Sequence, residues 1–246
     1  MILLSSEILI CGPEGLAAAP GADTMPLIDK EESAVSEDCY RRIRTDIVFG
    51  RLAPAQRLRL EALRESYGVS VSTLREILTR LTAEGFVAAE GKRGFEVAAV
   101  SADNLRELAG LRLLLEQHAM AISFANADVE WEGRVVSAHH KLASTERLMD
   151  SGIGEPEQWK RYDGEFHQAL ISNCGSRLLM ETHSLAFDKY FRYQMVAFHY
   201  RGAEPAAQHQ ALLDCALKRD VDTANKVLSA HVNNCVAHAI ANSSLR

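Results

Sequence analysis

Leu74, Ile77, Leu78 and Leu81 recur at the i, i+3, i+4, i+7 spacing of one helical face. They predict a helix over Ser72–Glu84 that buries this stripe. Upstream, Tyr40, Ile43 and Ile47 mark a helix over about Glu37–Phe49, which Gly50 stops. Arg57-Leu58-Arg59-Leu60 alternates as a short strand does, and a further helix covers roughly Glu61–Tyr67 before a tight turn at Gly68-Val69-Ser70. Phe86–Val100 alternates around Gly91-Lys92-Arg93-Gly94 and reads as a β-hairpin. From Ser101 onward only helical periods follow. Leu105, Leu108, Leu111 and Leu115 mark the first, with Ser101 as its N-cap. Others cover about 128–150, 155–173, 176–200, 204–219 and 221–242, punctuated by glycine and proline at 151–156 and 202–205.

The predicted fold class is mainly α. A winged helix-turn-helix over 36–100 is followed by an all-α antiparallel helical bundle over 101–246. Residues 1–35 scatter Gly, Pro and acidic residues without a period and read as a disordered tail, in which Met1 and Met25 are alternative starts. The apolar N-terminus lacks a positive region, contains Glu7 and is not read as a signal peptide. The longest apolar runs fall short of a membrane span. Five scattered cysteines without C-x-x-C spacing read as reduced thiols of a cytoplasmic protein.

Charge sharpens the picture. The net charge is −6, but the tail carries −5 and residues 101–246 carry −3, so residues 36–100 are the one basic segment, at +2. The excess is small, so affinity for DNA has to come from a few placed arginines and from dimerisation. Ser70, Ser72, Thr73, Arg75 and Thr79 cluster at the start and on the polar face of the predicted second helix. Short hydroxyls with an arginine near a helix N-terminus suit phosphates and base edges in a major groove.

Several runs resemble the GntR family of bacterial transcription regulators. They are Phe49-Gly50-Arg51-Leu52, Arg57-Leu58-Arg59, Tyr67-Gly68-Val69-Ser70-Val71-Ser72-Thr73-Leu74-Arg75-Glu76, Arg80-Leu81-Thr82-Ala83-Glu84-Gly85-Phe86-Val87 and Gly91-Lys92-Arg93-Gly94-Phe95-Glu96-Val97. Residues 101–246 resemble the all-helical FCD-type effector domain of the FadR subgroup, through Leu111-Arg112-Leu113-Leu114-Leu115-Glu116, Asp163-Gly164-Glu165-Phe166-His167 and Glu204–His209 leading to His231. The resemblance implies a homodimer on a palindromic double-stranded operator, a repressor switched by a small carboxylate such as a dicarboxylate. It makes Arg59 and Arg75 DNA contacts and sets Lys92 and Arg93 at a wing tip against phosphates or the minor groove. Where the family usually carries an arginine after Ser70, this chain has Val71, which offers a thymine methyl only methyl contact.

Asp163 and His167 are four apart on one predicted helix, so both face the same way. His209 and His231, on two later helices, can meet that face in a bundle. The resemblance makes these four the metal set, suited to Zn²⁺, with Ni²⁺ or Mn²⁺ as alternatives. The other histidines read as ordinary polar groups. Arg112 has two readings, an ion pair with Glu116 or a bidentate clamp on the effector carboxylate. Arg161, Tyr190, Arg192 and Tyr193 are further lining candidates. The rival function is a metal-dependent hydrolytic enzyme using the Asp/His cluster. Against it, the chain has no G-x-S-x-G nucleophile elbow and no phosphate-binding loop.

Overall fold

The computed structural model of the protein describes residues 27–89, 91, 94–196 and 200–242, with side chains from residue 33 onward. The first helix, α1 (Leu27–Val48), begins well before the expected start near Glu37 and so runs into the segment read as a tail. Val35 on these extra turns stays 56% exposed, so no apolar stripe announced them. The strand β1 (Arg57–Leu58) leads into α2 (Leu60–Tyr67). Gly68 ends α2 in the left-handed conformation (φ 71°) that glycine adopts without steric cost. Ser70 then caps α3 (Val71–Ala83) by accepting the Thr73 N–H. The wing is β2 (Val87–Ala89) and β3 (Phe95–Val97), and β3 lies between β1 and β2, antiparallel to both. The stripe Leu74, Ile77, Leu78 and Leu81 is buried against Ile43, Ile47, Leu63 and Phe86.

The body is six helices: α4 (Ala102–Ala125), α5 (Val129–Asp150), α6 (Pro156–Leu170), α7 (Arg177–Val196), α8 (Ala203–Lys218) and α9 (Val221–Asn242). α4 packs on α7 and α9, and α5 on α6 and α8. Ser101 caps α4 as expected, accepting the Asn104 N–H. The leucine stripe of α4 needs correcting. Leu105 and Leu108 are buried, but the buried face continues through Ala109, Arg112, Glu116, Ala119 and Met120, while Leu111 and Leu114 are exposed. Two charges can replace leucines there because they neutralise each other (see below).

α7 belongs to both halves. Its Phe187 and Phe191 enter the core of the N-terminal head. Phe191 meets Phe49 edge-on at 5.2 Å, and Arg44 of α1 donates to Asp188 at 2.6 Å and to Glu84 at 3.3 Å. Arg192 donates to the Ala98 carbonyl and the Tyr193 hydroxyl to Asn104 Oδ1 at 2.7 Å. These two residues therefore tie the joint between head and body rather than line the Asp/His cluster. Cys39, Cys174, Cys215 and Cys235 are buried free thiols.

Candidate metal centre and nucleic-acid interface

Ser70, Ser72, Arg75 and Thr79 are all exposed around the start and outer face of α3, with Thr73 half-buried beside them. The Ser70 hydroxyl lies 2.7 Å from that of Ser72 and 2.9 Å from that of Thr73. Thr79 donates its hydroxyl to the Arg75 carbonyl at 2.7 Å, which leaves only its lone pairs for a partner. Arg75 has no ion-pair partner among the described residues, unlike Arg80, which donates to Glu37 at 2.7 Å and lies 3.5 Å over the Tyr40 ring. One arginine is thus free at the surface while its neighbour on the same helix is engaged by the fold. Arg59, exposed, occupies the N-cap position of α2 just after β1, without a side-chain capping bond. Lys92 and Arg93 lie outside the described residues.

In the body, α6 supplies Asp163 and His167, α8 His209 and α9 His231. All four are buried, and one ligand atom from each lies within 4.8 Å of the others. The outward face of each imidazole explains the inward one. His167 Nδ1 is 3.1 Å from Glu116 Oε2, His209 Nδ1 is 2.7 Å from Glu146 Oε1, and His231 Nδ1 is 3.0 Å from Gln208 Oε1. Each partner is an acceptor, so each Nδ1 carries the proton and each Nε2 presents a lone pair. Three imidazole nitrogens therefore converge with a carboxylate. Among the described residues, Asp163 Oδ1, His167 Nε2 and His209 Nε2 have no hydrogen-bond partner. His209 Nε2 lies 3.1 Å from Asp163 Oδ1, and with lone pairs on both atoms this approach is repulsive unless a cation or a proton sits between them.

Buried acceptors without donors are costly, and a cation is what satisfies such a set. An N₃O donor group with outward Nδ1–H bonds to carboxylates is the usual dress of a transition-metal histidine site. The protonation preferences agree for His231, His167 and Asp163, while His209 is held towards its protonated form, whose proton a bound cation would displace. Burial and the neighbouring His209 and His167 hold His231 well below the usual histidine range, so it stays neutral. Burial, with Arg112 nearby, likewise lowers His167. Burial would lower His209 too, but Asp163 and Glu146 outweigh it and raise the group. Burial would raise Asp163, but the Lys160 ammonium at 3.3 Å and the imidazoles keep it well below the usual carboxylate range.

Around this set lies a buried network that the sequence reading only touched. Arg112 does form the ion pair with Glu116, through Nε at 2.6 Å and Nη2 at 3.5 Å. That edge is thereby taken, so a bidentate clamp on a ligand through it is not available. Nη1 remains buried without a partner, with the guanidinium 4.6 Å over Phe187 and 4.8 Å over Tyr190. Glu116 also receives His183 Nε2–H at 2.8 Å, so His183 is part of the site's support rather than an ordinary polar residue. Glu146, Lys160, His183 and Gln208 were missed. Glu146, His183 and Gln208 act only where separate helices meet, so no local spacing announces them, whereas Lys160 stands at the i, i+3 spacing from Asp163 on α6.

The model for the FCD domain matches residues 107–234, and the model for bacterial regulatory proteins of the gntR family matches residues 35–97. The chain belongs to the GntR family. It joins the GntR helix-turn-helix domain to an FCD domain, and it is similar to the HTH-type transcriptional regulator BphR of Paraburkholderia xenovorans (strain LB400). The two are 37% identical over 88% of this chain and 89% of that protein. GlaR of Escherichia coli (strain K12), named a transcriptional repressor, is 29% identical over 80% of this chain and 92% of its own. Among solved structures, E. coli McbR/YncC has a TM-score of 0.73 at 19% identity, covering 84% of this chain and 97% of that one. A GntR regulator from Rhodococcus sp. RHA1 has a TM-score of 0.70 at 20% identity, covering 85% and 99%. These two support the fold, a winged helix-turn-helix followed by an all-helical FCD domain. The relatives of this GntR protein are transcriptional regulators and not enzymes, so the hydrolytic alternative falls away. No helix among the described residues is long and apolar enough to cross a membrane.

Proposed function

We propose that this protein is a cytoplasmic, homodimeric repressor of the FadR subgroup, bound to a palindromic operator and controlled by a small carboxylate at a metal-containing site. The domain division we adopt is a tail over 1–35, a DNA-binding head over 36–100 and an effector and dimerisation body over 101–246. The observation that carries the metal part is the convergence of Asp163, His167, His209 and His231 with three partnerless acceptor atoms. These residues would hold a divalent ion, Zn²⁺ first, with Ni²⁺ or Mn²⁺ compatible with the same donors. When bound, the ion supplies positive charge and open coordination positions for a carboxylate. Arg112 Nη1, buried without a partner, is a second group able to receive that carboxylate. Ser70, Ser72, Thr73, Arg75 and Thr79 on α3, with Arg59, Lys92 and Arg93, would contact the operator. The name of GlaR supports repression.

A carboxylate can change operator affinity only if it binds one placement of the heads more tightly than another. The test is twofold. Protein purified without chelator or affinity tag should contain about one metal per chain, and the double variant His167→Ala, His209→Ala should lose it. Fluorescence anisotropy on DNA upstream of the gene, with a panel of small acids, should give salt-sensitive binding that one acid weakens. Full metal retention by the double variant rejects the site, and operator binding indifferent to every acid rejects the sensor.

A further inference from the structure

A second opening lies where head meets body. α1, α6 and α7 border a cleft of about 350 Å³ that none of Asp163, His167, His209 and His231 lines; its walls include Arg44, Phe49, Arg161, Ser184, Phe187 and Phe191. We infer that this cleft is a separate ligand site for a small aromatic or branched apolar monocarboxylate. Its size falls in the range of small-molecule sites, and a joint between domains is where such sites recur.

The chemistry of the walls selects the ligand. Three cations border the cleft, and two are already engaged. Arg44 is held by Asp188 and Glu84, and Lys160 by Asp163. Arg161, exposed at the rim, has no ion-pair partner among the described residues. One uncompensated guanidinium calls for one negative charge. The inner wall is aromatic. Phe187 stacks on Phe191 at 6.4 Å, and Phe191 meets Phe49 edge-on at 5.2 Å. These rings favour an apolar body over a second carboxylate. The Phe187 ring lines the cleft with its centroid 5.9 Å from that of His167, and Lys160 joins the cleft wall to the cluster through Asp163. An occupant touches α1 of the head together with α6 and α7 of the body, so a placement of the head that narrows the cleft would disfavour it.

The test uses full-length protein as purified, titrated by calorimetry with benzoate and, as the neutral control, benzyl alcohol. Benzoate should bind the wild type more tightly than the alcohol. Arg161→Gln should weaken benzoate by about tenfold, the loss expected for one charge-assisted contact, and leave the alcohol unchanged. Ser184→Phe, which fills the rim, should block both. Both side chains are exposed, so unchanged thermal unfolding and metal content should accompany these effects. Absence of benzoate binding to the wild type overturns the inference. Unchanged affinity in both variants also overturns it, because benzoate then sits elsewhere, at the metal centre or on the surface. Neither result depends on whether the Asp/His cluster holds a metal.

Discussion

Glu116 shows how much one buried side chain can organise. It accepts from Arg112, His167 and His183, three residues on three helices, and burial, which would raise its carboxyl, is outweighed by Arg112 and His167 so that it stays ionised. Glu116→Ala strands a buried guanidinium and two imidazoles. Removing one partner of a buried pair costs about 3–5 kcal/mol. Denaturant unfolding of the variant should show a loss of that order, and a change within error would mean that water replaces the carboxylate. At the surface the logic reverses. Arg75 is exposed and has no ion-pair partner among the described residues, so Arg75→Ala should leave unfolding unchanged and weaken operator binding by roughly ten- to a hundredfold, the worth of one good base or phosphate contact. Unchanged anisotropy would remove Arg75 from the interface. The sequence made Asp163 with His167, and Arg112 with Glu116, legible because each pair sits one helical turn apart. It hid Glu146 behind His209 and Gln208 behind His231, because those contacts form only when separate helices meet.

At the scale of elements, the head was nearly readable residue by residue. Its helices are amphipathic, its turn holds Gly68 at positive φ, and its cap is Ser70. The body was readable in helix number and limits but not in facing. In α4 a count of leucines pointed to Leu111, whereas the buried stripe runs through Arg112 and Glu116, a pair that hydrophobicity alone scores as surface. α7 was the least legible helix, since its Phe187 and Phe191 serve the head's core although they belong to the body. That sharing has a consequence. Rings run from His167 to Phe187, to Phe191, to Phe49 of the head. Phe191→Leu keeps an apolar filler but removes the stacking and the edge contact. Its metal content should match the wild type, while the change in operator affinity on adding zinc to chelator-treated protein should shrink. An unchanged zinc response would show that the heads are set by another contact, such as Arg44 with Asp188.

For the whole molecule, the decisive fact is how little electrostatic attraction one head offers. Residues 36–100 carry a net charge of only +2 within a chain of −6, so a single head gains little from counterion release. Joining two heads makes the second contact intramolecular, which raises affinity by roughly 10²–10⁴ without any new contact. For the proposed homodimer, α4 offers exposed apolar side chains one turn apart, Leu111 at 41% and Leu114 at 67% exposed. A two-fold axis beside α4 would bury the leucines that the inward turn of Arg112 and Glu116 leaves outside. Leu114→Glu sets a charge into that contact from each copy. Light scattering should then report a monomer of unchanged helix content, and operator affinity should fall by a factor within the range given above. Since Leu114 is 67% exposed and is not one of the four metal-set residues, metal content should be unaffected. A variant that remains dimeric would move the two-fold axis to another face of the body, whereas a monomer with undiminished affinity would mean that one head suffices, against the charge argument.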